Sequence, residues 1–450
     1  MRFLMRQGMF EPKSAAMFAL AMLIFGGPHS GLTRGLDRNR NSPERSRDMN
    51  AKLLLAELSA EFDKLRPQVV MPAEGFIKHD YLIPAGFYKQ MWDWDGFFIG
   101  CHLASRSRDE ARYLKWWVLN FVGAINEEGY IAGCITPQGP RPLFGKFAMK
   151  PFLCQGAYFA SERLGDFSWV VPVYEGLKKV VAYRERTQGD PAFGLFFWDN
   201  AMQSGADNNA ALTNDPKDPS AILAADINTF QLREYLALSQ IAAKLGKAED
   251  AILCKGKAGA LQAAMVKHLW FEDEVSFFNI RRDTGLHIKR ISYSNFVPLI
   301  QKILPAEDGR RMIERYLWNK DHLLSDHGLR TLSKKDADYN NKNIIIPYSN
   351  WQGPVWPIAD YLYFIGLENY GFDREAASLA ETLGRLMLAD IRACGSMHEN
   401  YDAETGEPLA PTAAQSKDGV FTGFVGWNLL LLNMLQAVVE GKWLLLELPF

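Results

Sequence analysis

Apolar residues recur at three- and four-residue intervals along most of the chain, from about Met49 to its end. Ile227, Phe230, Leu238, Ile241 and Leu245 fall on one face of a predicted helix that stops at Gly246. Ala251, Cys254, Ala258, Leu261 and Met265 repeat the pattern in the next one. Asp373 is expected to cap a further helix, with Leu379, Leu383, Leu386 and Met387 on its apolar side. The same spacing predicts helices over about 111–126, 151–163, 169–186 and 305–319. Residues 425–439 differ, being apolar nearly all round despite Asn428 and Asn433, which predicts a helix buried on every side. Amphipathic helices alternating with an all-apolar one imply two shells, inner helices wrapped by outer ones. Strand signals are few. Residues 275–281 and 286–288 flank Asp283-Thr284-Gly285 as a hairpin, and residues 402–408 turn at Gly406 after a short extended piece.

At 450 residues and 48% hydrophobic content the chain can bury a large core. A formal charge of -2 argues against nucleic-acid partners, which call for a basic stripe. The five cysteines are dispersed without a C-x-x-C pair, which gives neither a disulfide framework nor a zinc signature. Arg2, Arg6 and Lys13 precede an apolar run over 14–25, the layout of a signal peptide. Glu11 interrupts the basic part, no A-x-A site follows, and the run is short for a bilayer span. Residues 1–48 are therefore expected to be a leader or a disordered extension, and 49–450 one catalytic domain. Export to the periplasm or medium and a cytoplasmic protein with a nonfunctional leader both fit; no membrane partner is expected, and no oligomeric state is assigned.

Two clusters mix indoles with polar groups. One is Tyr88-Lys-Gln-Met-Trp92-Asp93-Trp94-Asp95-Gly96, the other Trp351-Gln352-Gly353-Pro354-Val-Trp356-Pro357. Sugars offer apolar C–H faces and a rim of hydroxyls, so a sugar site needs aromatic faces beside carboxylates or amides. Core packing is the competing reading for any single tryptophan. Glycoside hydrolysis needs a carboxylic acid to protonate the leaving oxygen and a second carboxylate on the other side of the bond. Asp207, in the polar loop Gln203-Ser-Gly205-Ala-Asp207-Asn208, is one candidate, although a turn-forming aspartate fits its spacing better. Glu399, in His398-Glu399-Asn-Tyr-Asp402, is another, against the reading of an exposed loop carboxylate. Asp95 either binds sugar hydroxyls or begins a helix. His398-Glu399 lacks the second histidine of a zinc-peptidase motif. Asp336, Asp338 and Asn340 start like a calcium loop, but Asn341 replaces its glycine and Pro347 its closing glutamate. The eight histidines show no metal spacing, no nucleotide motif occurs, and no cofactor is expected.

Four segments together resemble glycoside hydrolase family 63 and its trehalase-like relatives. Trp92-Asp-Trp94-Asp95 resembles the family's tryptophan–aspartate motif. Gln203 to Asn208 resembles its Glu-Ser-Gly-Met-Asp-Asn segment, Trp351 to Pro357 its Trp-Arg-Gly-Pro-Val-Trp-Pro segment, and Glu399 to Pro408 the segment bearing its general base. They occur in the family's order, and in length the chain is similar to the compact bacterial enzymes that cleave mannosylglycerate or glucosylglycerate. The resemblance implies an all-α (α/α)6 barrel with a few short hairpins. It implies hydrolysis of an α-glycosidic bond in a small glucoside or mannoside with inversion, Asp207 being the general acid and Glu399 the general base. Trp92, Trp94, Trp351 and Trp356 would wall the sugar; Asp95, Gln352 and Gly353 would adjoin its hydroxyls, with Tyr88 and Gln415 as neighbours. Gln203 and Gln352 depart from the family's Glu and Arg, so the preferred sugar is open. A charged aglycone such as glycerate would need a cation, for which Arg141, Lys146 and Arg330 are candidates. A trehalase or other disaccharide α-glucosidase, a sugar epimerase, and a sugar-binding relative without catalysis are the alternatives.

Overall fold

The computed structural model describes residues 42–142, 148–212, 221–343, 349–441 and 448, with side chains from residue 50 onward. One compact unit spans 46–450; the leader expected over 1–48 lies mostly outside the described residues. The first helix, α1 (Ser42–Leu65), begins ahead of the boundary expected near Met49.

The helices alternate between two burial types. Helices α2 (Asp93–Arg106), α4 (Leu153–Leu164), α6 (Ala225–Lys244) and α10 (Pro357–Asn369) are buried over most of their length. So are α8, a helical turn Tyr293–Phe296 running into a 3-10 segment Val297–Gln301, and the first half of α12 (Trp427–Leu430, then Leu431–Glu440). Between them lie α1, α3 (Ala111–Val122), α5 (Tyr174–Gln188), α7 (Ala248–Leu269), α9 (Ala306–Met312, ending in a π-turn Ile313–Leu317) and α11 (Asp373–Cys394), each with a buried stripe and an exposed face. Packing closes the inner set into a ring: α2 on α4, α4 on α6, α6 on α8, α8 on α10, α10 on α12, and α12 back on α2. That is an (α/α)6 barrel, in which the outer helices cover the polar–apolar boundary that the inner ones lack.

The residues explain the close inner–outer approach. A Cβ on Gly96 of α2 would stand 2.5 Å from the indole of Trp117 on α3, and one on Gly100 would stand 2.8 Å from Leu114. Inside the ring, Trp94, Phe98, Phe152 and Phe230 meet edge-on or tilted, and Phe98 reaches Tyr361 of α10 at 6.4 Å between ring centroids. The barrel is therefore filled with aromatic side chains rather than open along its axis.

Several sequence expectations need adjustment. The helix expected over 169–186 starts as a 3-10 segment, Ser168–Val173, because Pro172 cannot supply an interior N–H. Asp373 is the first helical residue of α11 and its side chain makes no cap; Phe372 holds the cap position. The hairpin expected over 275–288 is two pairings: Ser276–Phe277 joins Trp270–Phe271, and Asn279–Arg281 joins His287–Ile288. The latter pair belongs to an antiparallel five-stranded sheet with Ile222–Leu223, Leu195–Trp198 and Gly189–Asp190, which single-sequence patterning did not reveal. Asn400–Tyr401 and Pro408–Leu409 pair around the turn at Gly406.

Candidate active site

Segments that lead into inner helices deliver polar side chains to one region. The loop after Leu195–Trp198 precedes α6 and closes on itself before it presents Asp207. Gln203 N–H donates to Asn200 Oδ1 at 3.1 Å, and Asp199 N–H donates to Gln203 Oε1 at 2.7 Å. This reciprocal cap defines the short turn Ala201–Ser204, which Gly205 ends with a φ of 88°. Gln203, which stands where the family's glutamate does, is thus a buried capping group.

Asn208 ties this loop to the segment before α10. Its Oδ1 accepts from Trp351 N–H at 2.6 Å, its Nδ2 donates to Asn350 Oδ1 at 3.0 Å, and its carbonyl accepts from Gln352 Nε2 at 3.0 Å. Val355 and Tyr401 exchange backbone hydrogen bonds of 2.8 and 3.0 Å, which brings in the segment carrying Glu399. That segment is braced from α11: Asp390 Oδ2 accepts from His398 N–H at 2.9 Å and from the Tyr401 hydroxyl at 2.8 Å. Asn428 of α12 donates to the His398 carbonyl at 2.8 Å. Gly423 lies against it with φ 80°, and a Cβ there would fall 1.6 Å from Ser396 Oγ. The Tyr88 hydroxyl, from the segment before α2, donates to Glu399 Oε2 at 3.5 Å.

Asp95, Asp207 and Glu399 belong to three distant stretches of chain, yet Asp207 acts on Asp95 and both act on Glu399. Burial pushes the Asp207 carboxyl up to about 6, against the nearby Ser349 hydroxyl and the Lys150 ammonium, which pull it down. Asp95 rises to about 7, first through burial, then through Asp93 and Asp207, with Lys150 opposing. Glu399, only 5% exposed, is held well above the usual carboxylate range by burial and by the charges of Asp95 and Asp207. Asp95 and Asp207 keep partial exposure. The buried Asp226 also rises to about 6, but it accepts a 2.9 Å bond from Trp198 Nε1 and answers to no other carboxylate. What marks the three-carboxyl group is that Asp207 bears on Asp95 and that both bear on Glu399.

Lys150 was not singled out from sequence, since nothing local marks it. Its Nζ sits 3.3 Å from the buried Asp93 Oδ1 and 5.9 Å from the centroid of the Trp94 ring. The indoles divide by exposure. Trp94, Trp351 and Trp356 are 3%, 1% and 2% exposed, and the last two stack at 4.3 Å, so they support the site from beneath rather than offer open faces. Trp92 is half-buried and edge-on to Tyr88. The indole N–H groups of Trp92, Trp351 and Trp427 find no acceptor among the described residues. Gly353 packs its backbone against Asn340, whose carbonyl oxygen would lie 2.2 Å from a Cβ. Gln415 pairs with Phe421 in a loop whose Ala413 carbonyl accepts from Phe87 N–H at 3.1 Å, beside Tyr88. Of the cations considered for a charged aglycone, Arg330 is 3% exposed and bound to Glu404, Arg141 is exposed, and Lys146 lies outside the described residues. Asp336 and Asp338 both pair with Arg290.

Comparison with known proteins agrees with the (α/α)6 fold. The family model described as the mannosylglycerate hydrolase MGH1-like glycoside hydrolase domain matches residues 147–418. A mannosylglycerate hydrolase of Rubrobacter radiotolerans is 25% identical over 214 residues, 48% of this chain and 43% of that protein, so the match spans less than half of that relative. The structure of a GH63 mannosylglycerate hydrolase from Thermus thermophilus in complex with glucose superposes with a TM-score of 0.62 at 17% identity, over 85% of this chain and 99% of that one. Neutral trehalase Nth1 from Saccharomyces cerevisiae superposes at 0.58 and 16% identity, over 81% and 76%. With its matched domain covering more than half of its length, the chain belongs to the mannosylglycerate hydrolase MGH1-like glycoside hydrolase family.

Proposed function

We propose that the protein hydrolyses the α-glycosidic bond of a small glucoside or mannoside with inversion, Asp207 acting as general acid and Glu399 as general base. The observation that carries this reading is geometric: Asn208 ties the Asp207 loop to the Trp351 segment, and Val355 pairs with Tyr401 of the Glu399 segment, so that Asp95 and Asp207 both bear on the buried Glu399. A general acid needs a carboxyl whose pKa is raised, and burial moves Asp207 in that direction, to about 6. As base, Glu399 would take a proton from water in its ionised form, which burial, Asp95 and Asp207 oppose and the Tyr88 hydroxyl beside it favours. Asp95, half-buried at the start of α2, would accept from sugar hydroxyls.

Mannosylglycerate, named in the relatives' descriptions, and glucosylglycerate, which the motif resemblance adds, are the proposed substrates. A neutral disaccharide is the second reading, favoured by one observation: Arg330, a candidate partner for a carboxylate aglycone, is already neutralised by Glu404. The test is a panel of α-mannosylglycerate, α-glucosylglycerate and trehalose, with the anomer released at early times read by proton NMR. Release of the β-anomer from a glycerate glycoside is expected. Initial release of the α-anomer would refute inversion, and turnover of trehalose alone would replace the glycerate reading. Sugar binding without turnover of any of the three would reject hydrolysis of these substrates.

A further inference from the structure

We propose that Asp390, Cys394 and His398 form a binding site for a divalent cation of borderline softness, represented by Zn2+, on the outer side of the segment that carries Glu399. Asp390 and Cys394 lie one turn apart on the last stretch of α11, and an i, i+4 pair shares a helix face. Gly395, with φ 79°, then reverses the chain so that His398 folds back over that face. A carboxylate oxygen, the thiol sulfur and an imidazole nitrogen converge so that all lie within 4.8 Å of one another. Cys394 Sγ is 3.2 Å and His398 Nδ1 3.1 Å from the same oxygen, Asp390 Oδ1.

Those separations are close to the ligand–ligand edges of a tetrahedral zinc site, about 3.3–3.7 Å for bonds of roughly 2.0–2.3 Å. The second carboxylate oxygen, Oδ2, accepts from the Tyr401 hydroxyl and from His398 N–H, and His398 Nδ1 lies 3.0 Å from it. This outer support orients Oδ1 as metal sites require. Here the thiol residue is exposed while Asp390 and His398 are buried, which gives an ion a route in. The remaining cysteines, Cys101, Cys134, Cys154 and Cys254, are buried.

Binding forms metal bonds to Sγ, Nδ1 and Oδ1, with water completing the set. The thiol releases its proton to solvent, and the imidazole proton moves from Nδ1 to Nε2, so one proton leaves per ion bound.

The full-length, metal-stripped protein is titrated with Zn2+ by calorimetry in buffers of different ionisation enthalpy, and with Co2+ by absorbance. The expected result is one ion per chain, release of one proton, and a thiolate-to-cobalt charge-transfer band. In Cys394→Ser, a change at an exposed position, the band disappears and Zn2+ affinity falls by about tenfold or more. No stoichiometric Zn2+ binding by the wild type, or equal binding by Cys394→Ser, would overturn the site. Neither readout depends on glycosidase activity, so its failure is separate from that of the proposed reaction.

Discussion

Lys150 sets the charge balance of the proposed site. Its ammonium lowers the pKa of both Asp95 and Asp207. In Lys150→Met the acid should hold its proton to higher pH, moving the alkaline limb of kcat/KM upward; an unmoved limb would detach Lys150 from the reacting carboxyls. Asp95→Asn acts with the opposite sign on the base. Removing a negative charge beside Glu399 lowers that carboxyl's pKa, so the acidic limb moves to lower pH. The same variant has a stability signature. Asp95 rises from an ordinary 3.8 to about 7, so the fold is penalised by its ionisation as pH climbs through that window. Asp95→Asn should therefore melt progressively higher than wild type between pH 4 and pH 7, and a constant gap would contradict the burial argument. At this scale the sequence was informative about which residues matter and silent about their electrostatics. Asp207 and Glu399 could be picked from loop chemistry and motif resemblance. Lys150 and Asn208 act through partners 57 and 143 positions away, which no local pattern reports.

Helix packing at the mouth of the barrel depends on two glycines of different kinds. Gly96 leaves room for Trp117, so Gly96→Ala should destabilise by about 1–3 kcal/mol through overpacking, read from urea unfolding. An unchanged midpoint would mean that α2 and α3 can separate freely. Gly423 needs both a positive φ and the absence of a Cβ. Gly423→Ala should displace the Glu399 segment and lower kcat by at least about tenfold, on the sensitivity of catalysis to misplacement; a wild-type kcat would sink that assignment. Amphipathic outer helices were readable because their faces alternate. Residues 97–104 of α2 are buried throughout, so periodicity had no contrast to detect there. The strands of the five-stranded sheet are two to four residues long, too short to show alternation.

The unit over 46–450 is a ring closed by α12 on α2, and its proposed site draws on segments before α2, α6, α10 and α12. Opening any inner helix should therefore disturb the site, as should opening the end of α11, whose Asp390 braces the Glu399 segment, whereas α7 can fray alone. Amide exchange should be slowest in α6, which is buried on nearly all sides, and faster along the exposed face of α7; the reverse order would contradict the two-shell account. Two shells were legible in the sequence, but closure was not, because it lies in contacts between the ends of the chain. Among the described residues, no helix is long and apolar enough to cross a membrane. The central claim is that two carboxyl groups, 192 positions apart by number (399 less 207), act on one glycosidic bond. Its most direct test is the hydrolysis rate of α-mannosylglycerate and α-glucosylglycerate by the wild type, Asp207→Asn and Glu399→Gln. The account predicts turnover by the wild type and a loss of about 100-fold or more in kcat for each variant; a wild-type rate in either one would contradict it.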